Sequence, residues 1–393
     1  MLLPKASFKM RVDDIISYKG SNFLRMRLIL STLSGKAVQI TDIRHKSKPK
    51  EAHGLLEHER SLIDLLMKIT NGGFIEITDM NTSLVYTPGM IFGGRIEHDC
   101  GLQRSITYFL ELLMCLAPFC KEKLDVTLNG ITNDSLDASV DSLKQSALPL
   151  MVKYLNIVDK DEINLKVVSR GLKPEGGGRV HFRCPLRKTL KPLQLLNAGK
   201  IKRIRGIAYA TRVSPQVVNR IVCEAKGLLL KYIPDVYIHS DYLKGEHSGK
   251  SPGFGISLVA ESINGVFYVG EAISNPKGSP NGPSLPEDIA KQATHKLFEE
   301  IYRGGCVSSI NQGLALLFMA LGHTDISKLQ LGPLSPYSVQ LLRHMRDMFH
   351  ITFKLEIDQQ YKQELDLEYK KGSQKILATA LGIGYVNLSK NAI

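Results

Sequence analysis

The sequence has no tryptophan, few cysteines and no long apolar run. None of its 6 cysteines stands in a C-x-x-C pair, so neither the disulfide framework of a small secreted domain nor a close-paired zinc site is expected. The longest apolar stretch, residues 314–321, is far shorter than the roughly 20 residues of a membrane-spanning helix. The N-terminus lacks the charged-then-apolar pattern of a signal peptide. We therefore expect a nuclear or cytosolic protein with reduced thiols and no membrane partner.

Acidic residues are missing from the middle of the chain. The net charge is +13, from 51 Lys and Arg against 38 Asp and Glu, yet no Asp or Glu lies between Glu175 and Glu224. A basic surface normally mixes both signs of charge for solubility. A long acid-free basic segment is typical of polyanion binding, because each neutralised phosphate releases counterions. We predict RNA or phosphate binding by Arg187, Lys188, Lys200, Lys202, Arg203 and Arg205; a merely basic surface is the alternative.

Residues 200–206 (KIKRIRG) are the most specific part of this segment. Strand alternation places Lys200, Lys202 and Ile204 on one side, and Arg203 and Arg205 on the other. Cations on both faces do not suit a half-buried strand. The pattern favours an edge, or a face of an inserted domain, that meets phosphate; an edge strand that uses charge only against aggregation is the alternative.

The order of helices and strands is repeated three times. Each copy predicts a helix, a strand, a second helix and two further strands, and equivalent strands near Val38, Val126 and Leu329 are separated by about 88 and 203 residues. The surplus in the second spacing indicates an insertion. We predict an α+β fold with three repeated units of two helices on a four-stranded sheet. This body spans residues 1–185 and 286–393, and a small α/β domain is inserted at 186–285.

Several motifs carry a family resemblance that runs through most of the chain. They are GSNFLR (20–25), TDIR (41–44), YTPG (86–89), NGITND (129–134) and PEGGG (174–178). Together with the repeat and insertion, they resemble the RNA 3′-terminal phosphate cyclase family. The segments KIKRIRGIAYATRVSPQ, SGKSPGFGISLVAES and EEIYRGGC resemble the eukaryotic cyclase-like branch of that family.

The resemblance also indicates that the cyclase chemistry is lost. True cyclases transfer AMP from ATP to a histidine in a His-x-x-Asp-Gln segment ahead of a buried helix. Ile310 stands at the histidine position, and Gly313 and Leu314 replace the Asp-Gln pair. Tyr18 stands where a metal-binding glutamate belongs. Because an aliphatic side chain has no lone pair for attack on phosphorus, we expect no cyclase activity, no cofactor and no metal.

Arg25 and Arg44 match arginines that line the nucleotide pocket of the family. Guanidinium groups bind oxyanions in bidentate geometry, so the resemblance implies a vestigial anion pocket at these two residues. The alternative is that both arginines only brace the fold.

The function that the resemblance implies is a non-catalytic, RNA-associated assembly factor for the small ribosomal subunit. It would act in 18S pre-rRNA processing within the small-subunit processome, in the nucleus and nucleolus. Its partners would be pre-rRNA, the nucleolar GTPase of the processome and other processome proteins. One alternative is a pre-rRNA endonuclease that cuts the spacer next to the small-subunit RNA, although the sequence shows no carboxylate cluster for it. A second alternative is a protein-only scaffold that binds the GTPase.

Overall fold

Short sheets alternate with helices through the described part of the chain. The computed structural model describes residues 15–45, 53–78, 80–358 and 372–387. Chain contacts divide it into two units, residues 1–91 and 92–393. The elements of the first unit are β1 (Ile16–Lys19), α1 (Leu24–Ser34), β2 (Val38–Thr41), α2 (Glu57–Ile69), β3 (Thr70–Asn71), β4 (Phe74–Ile77), β5 (Leu84–Thr87) and β6 (Met90–Ile91).

The second unit contains two further helix-and-sheet sets and one sheet between them. Its elements are β7 (Gly93–Asp99), α3 (Ile106–Leu116), β8 (Glu122–Gly130), α4 (Val140–Tyr154), β9 (Asn164–Ser169), β10 (Gly178–Cys184), β11 (Gln194–Leu195), β12 (Ile201–Thr211), α5 (Pro215–Leu229), β13 (Val236–Leu243), β14 (Gly253–Ser262), β15 (Phe267–Ile273), α6 (Pro286–Arg303), α7 (Gln312–Leu321), β16 (Ile326–Leu331), α8 (Pro336–Phe349), β17 (Lys354–Ile357) and β18 (Ile376–Leu381).

Three of the sheets have the same strand order and direction. They are β1-β2-β5-β4, β7-β8-β10-β9 and β11-β16-β18-β17. In each, the first two strands are parallel and the other neighbours are antiparallel. The predicted α+β fold class is confirmed.

Serine side chains cap the starts of several helices. The hydroxyl of Ser139 accepts a hydrogen bond from the backbone N–H of Ser142 at the start of α4, and Ser335 does the same for Ser338 in α8. These caps satisfy N–H groups that have no partner inside the helix. Helices α3 and α7 are buried on nearly all sides, which explains why their sequences are apolar without a polar face.

A fourth sheet, β13-β12-β14-β15, occupies the middle of the second unit. Helices α5 and α6 pack on one of its faces, and α4 packs on the other face at β14 and β15. Gly270 is needed at the α6 contact, because an added Cβ would collide with the backbone of Ala293 and Leu297. Although α6 lies outside the predicted insertion of residues 186–285, it contacts this sheet; the domain limits stay a prediction.

Candidate nucleic-acid interface

Strand β12 carries four of the six predicted RNA-binding residues at or just before its start. From Ile204 onward β12 is an inner strand, paired in parallel with β13 and antiparallel with β14, so the edge position expected from the sequence does not hold for Arg205. Within the described residues, Ile201 and Arg203 pair with β14 alone. Both neighbours follow β12 in the chain, so its own sequence contains no signal for them. Ile204 and Ala208 are fully buried on one face. The other candidate position, a face of the sheet, remains.

A β-bulge interrupts the alternation predicted for residues 200–206. Ile201 pairs with Ser262 and Arg203 pairs with Glu261, so two steps along β12 correspond to one along β14. Lys202 is the extra residue of this bulge, and such a residue is turned away from the regular ladder. Its side chain is exposed, whereas Ile204 is buried.

The two arginines of the strand are paired with carboxylates. Arg203 Nε lies 2.6 Å from Glu261 Oε2, directly across the ladder. Arg205 donates to both carboxylate oxygens of Asp235, at 2.7 and 3.0 Å. The hydrogen bond from Arg205 holds the pKa of Asp235 below its usual range, with smaller contributions from the charges of Arg203 and Lys202. These pairs leave less free positive charge than the segment's composition indicates.

The lysines of the set are not paired in this way. Lys188, Lys200 and Lys202 are exposed, and none lies within 4.0 Å of a carboxylate oxygen in the part of the chain that the structure describes. Arg187, by contrast, contacts Glu162 at 2.6 Å and donates to the carbonyl of Leu155. The structure thus brings Lys200, Lys202, Arg203 and Arg205 together on one strand and places Arg187 and Lys188 on the segment after β10.

Carboxylates from distant parts of the chain neutralise other members of the acid-free segment. Arg179 lies 3.4 Å from Glu97, and Arg220 lies 2.7 Å from Glu287. None of these acidic partners is near its arginine in sequence. An acid-free stretch of chain therefore does not give an acid-free surface, and the exposed lysines carry most of the remaining charge.

The two arginines of the predicted vestigial pocket lie in the first unit. Arg44 is held by Glu59, with Nη1–Oε2 and Nη2–Oε1 distances of 2.7 and 2.8 Å, and it also donates to the carbonyl of Gly54. Arg25 is half-buried on α1. Glu59 is buried, so the bidentate geometry of Arg44 is already used by an acid of the chain.

A third arginine of this unit, Arg27, was not among the predicted site residues. Arg27 is buried, donates to the carbonyl of Gly20 at 2.7 Å and lies over the ring of Tyr18 at 4.6 Å. Burial lowers the pKa of Arg27. Tyr18, which stands at the expected metal-ligand position, therefore packs against a cation.

Ile310 lies in a short 3-10 turn immediately before α7, and its side chain is 41% exposed. The turn is fixed by polar contacts on both sides of the isoleucine. Glu300 accepts hydrogen bonds from the backbone N–H of Ser309 and from the hydroxyl of Ser308, at 3.0 and 3.1 Å, and Asn311 donates to Ser146. The position predicted for the lost nucleophile is thus accessible, between residues held by hydrogen bonds, but carries a hydrocarbon side chain.

A buried ionic network joins α4, the end of β9 and the fourth sheet. Arg170 donates to both oxygens of Asp141, at 2.6 and 3.1 Å, and to Asp241 at 2.8 Å, and its guanidinium lies 4.5 Å from the ring centre of Tyr209. Burial alone would raise the pKa of Asp141, but the Arg170 guanidinium holds it below its usual range. The sequence had no signal for this network, because its acids come from separate elements.

Clusters suited to metal binding are not found among the described residues: no group of three His, Cys, Asp or Glu side chains is arranged to hold an ion. In the same residues, no helix combines the length and apolarity that crossing a membrane requires.

A model of the family described as RNA 3′-terminal phosphate cyclase matches residues 16–355. The chain belongs to the RNA 3′-terminal phosphate cyclase family. It is 54% and 53% identical, over 375 residues, to the RNA 3′-terminal phosphate cyclase-like proteins of Bos taurus and Homo sapiens, which covers 95% of this chain and 97% of each relative. It is 37% identical over 385 residues to the rRNA processing protein rcl1 of Schizosaccharomyces pombe, covering 97% of this chain and 99% of that protein.

Membership of the cyclase family, and the likeness to its cyclase-like branch, are thereby confirmed as predicted. The residue roles within the family pattern stay predictions: Ile310 at the nucleophile position, Arg25 and Arg44 in the anion pocket, and the six basic residues toward RNA.

Proposed function

We propose that this chain is a non-catalytic, RNA-associated assembly factor for the small ribosomal subunit, acting in 18S pre-rRNA processing within the small-subunit processome. The observation that carries the proposal is its 37% identity, over nearly the whole of both chains, to a protein named for rRNA processing. The aliphatic side chain of Ile310 supports a role without cyclase chemistry, since it cannot take up a nucleotidyl group.

In this proposal, Lys200 and Lys202 make the main phosphate contacts. Both are exposed at the start of β12 without a carboxylate partner among the described residues, so binding a phosphate does not require an existing ion pair to break. Arg203 and Arg205 keep their carboxylates and add positive potential beside them. Lys188 and Arg187 form a second, smaller contact on the segment after β10.

The anion pocket has a lesser part. Glu59 occupies both terminal nitrogens of Arg44, so a phosphate there would have to replace a buried carboxylate. The proposed partners are pre-rRNA, the nucleolar GTPase of the processome and other processome proteins, and the proposed location is the nucleolus. The GTPase would supply the nucleotide cycle.

The RNA contact is tested with the double variant Lys200→Glu/Lys202→Glu and single-stranded pre-rRNA fragments. The matched control is Lys231→Glu/Lys277→Glu, which makes the same charge change at two other exposed lysines. Loss of two phosphate contacts should reduce the slope of log affinity against log salt by roughly 1.4 in the first variant only. Equal slopes in both variants would favour a protein-only scaffold.

The non-catalytic part of the proposal is tested by incubating the protein with labelled ATP and then denaturing it. No covalent adenylate should remain on the chain. A stable adenylated product would show a nucleophile elsewhere in the chain and would contradict the proposal. Site-specific cutting of a spacer-containing RNA, abolished by one point substitution, would favour the endonuclease instead.

A further inference from the structure

Two aromatic side chains of β13 lie beside the basic residues of β12 on one face of the sheet. In the parallel pairing, Tyr237 is the register partner of Arg205, and His239 is the partner of Ile207. Tyr237 is 59% exposed and His239 is also exposed. The Tyr237 ring packs on no other aromatic ring in the described part of the chain.

The packing of the sheet explains why this surface is open. On the opposite face, α5 covers β12 and β13, and Ile204 and Ile238 are buried there. On the face that carries Arg205, α4 packs mainly against β14 and β15, where the hydroxyls of Ser142 and Ser257 lie 3.1 Å apart, and Tyr237 and His239 stay exposed. We call the uncovered part, made of Arg203, Arg205, Ile207, Tyr237 and His239, the aromatic platform.

The charge of the surroundings selects the kind of partner. Lys200, Lys202, Arg203 and Arg205 stand at or just before the start of β12, and Asp235 and Glu261 are the carboxylates paired with them. Four cations against two carboxylates leave an excess of positive charge around an exposed ring. An anionic ligand with flat, stackable groups matches both features.

We propose that the aromatic platform binds single-stranded RNA by stacking a base on Tyr237, with a second base at His239, while Lys200 and Lys202 hold the adjoining phosphates. This inference rests on the proposed RNA binding and specifies how the RNA is held, through stacked bases and paired phosphates. A duplex cannot use the platform, because its bases are already stacked on one another. Stacking tolerates every base, so the contact selects for strandedness and not for sequence.

The first test is the affinity of Tyr237→Ala for a short single-stranded oligoribonucleotide, measured by fluorescence anisotropy. Loss of one stacked base should weaken binding by about 5-fold to 160-fold, and Tyr237→Phe should retain most of the affinity. The slope of affinity against salt should not change, because no charge is removed. Tyr302→Ala is the matched control, since Tyr302 is similarly exposed, at 57%, on α6.

The second test uses the absence of tryptophan from the chain. Tyr237→Trp introduces a single indole on the platform, and stacking of a base should quench its fluorescence on addition of the single strand. The duplex of the same sequence should quench it much less. Tyr302→Trp should show no quenching at RNA concentrations that saturate binding.

The outcomes separate this inference from the function on which it rests. If the unchanged protein binds RNA but Tyr237→Ala and Tyr302→Ala bind equally well, the platform is wrong and the proposed function stands. The same holds if the indole at position 237 is not quenched by saturating single-stranded RNA. If the unchanged protein binds no RNA, both proposals fail.

Discussion

Two arginine–carboxylate contacts of the same length lie in different surroundings. Arg203–Glu261, on the edge of the aromatic platform, and Arg170–Asp141, at the base of α4, both measure 2.6 Å. The Arg170 side chain is 3% exposed, whereas Arg203 and Glu261 are partly open to water. Water screens the first pair and supplies alternative partners. In the buried pair, Arg170 is held by Asp141, Asp241 and the ring of Tyr209. Distance therefore says little about what an ion pair contributes; burial decides it.

The largest expected effect is that of Arg170→Met. The substitution leaves Asp141 and Asp241 without their common cation in a buried site, and such a change costs about 3–5 kcal/mol. The free energy of unfolding, from urea denaturation followed by circular dichroism, measures it. Arg203→Met is the matched control. An equal loss of unfolding free energy in both variants would show that burial does not set the contribution of these ion pairs.

Acid should weaken the buried region selectively. Because Arg170 keeps the pKa of Asp141 in the folded state below its usual range, the ionised group contributes stability above its unfolded pKa of about 3.9. That contribution is lost as the pH falls through the folded value. Between about pH 5 and pH 2, Asp141→Asn should therefore lose less stability on acidification than the unchanged protein. Parallel curves for the two proteins would contradict this assignment.

A smaller effect of opposite sign is expected at Glu271. Burial against α4 raises the pKa of Glu271, although the backbone N–H of Ser139 and the hydroxyl of Ser142 donate to its carboxylate. A raised folded pKa means that the ionised form costs stability at neutral pH and that this cost disappears as the pH falls. Glu271→Gln keeps one acceptor oxygen, which can take the Ser139 N–H, and its amide NH2 can instead donate to the Ser142 hydroxyl. The variant should gain up to about 1 kcal/mol at pH 7.

The gain at Glu271 should vanish near pH 3, where the native carboxyl is protonated as well. Urea denaturation at the two pH values measures it. A gain of the same size at both would assign the effect to packing and not to charge.

The smallest effect is expected at the exposed pair. Arg203→Gln removes the contact with Glu261 and should cost about 0.2–1 kcal/mol, and less still in high salt, where surface charges are screened. Denaturation at low and high salt measures it. A cost that does not depend on salt would show that Arg203 contributes through packing of its stem instead.

The helices and the repeated order were predictable from the sequence, because both follow from local patterns. Apolar spacing and the Ser214-Pro215 and Ser335-Pro336 starts place α5 and α8 nearly to the residue. The first strands of the first and third repeats were not identified. These strands, β1 and β11, have four and two residues, too few for an alternating pattern to be distinguished from a loop.

The electrostatics of the candidate site were predictable only in part. Composition drew attention to residues 200–205, but the charges of Arg203 and Arg205 are offset by Glu261 and Asp235, which come from later parts of the chain. The sequence did not indicate Tyr237 as a site residue, because Tyr237 lies beside Arg205 only through the pairing of β12 with β13. Which residues are neighbours across a sheet is a property of topology, and single residues do not encode it.

The extra residue at position 202 also bears on how the chain can change in length. From Arg203 onward, β12 is in regular register with β14, and the buried side chains of Ile204 and Ala208 depend on that register. Lys202 has no register partner on β14. Deleting it would therefore leave Ile201 and Arg203 paired with Ser262 and Glu261, and the buried side chains further along β12 would keep their positions. Removal of one residue at position 202 should therefore leave the core packing unchanged. Removal of one residue at position 205 would instead shift the register and turn apolar side chains outward.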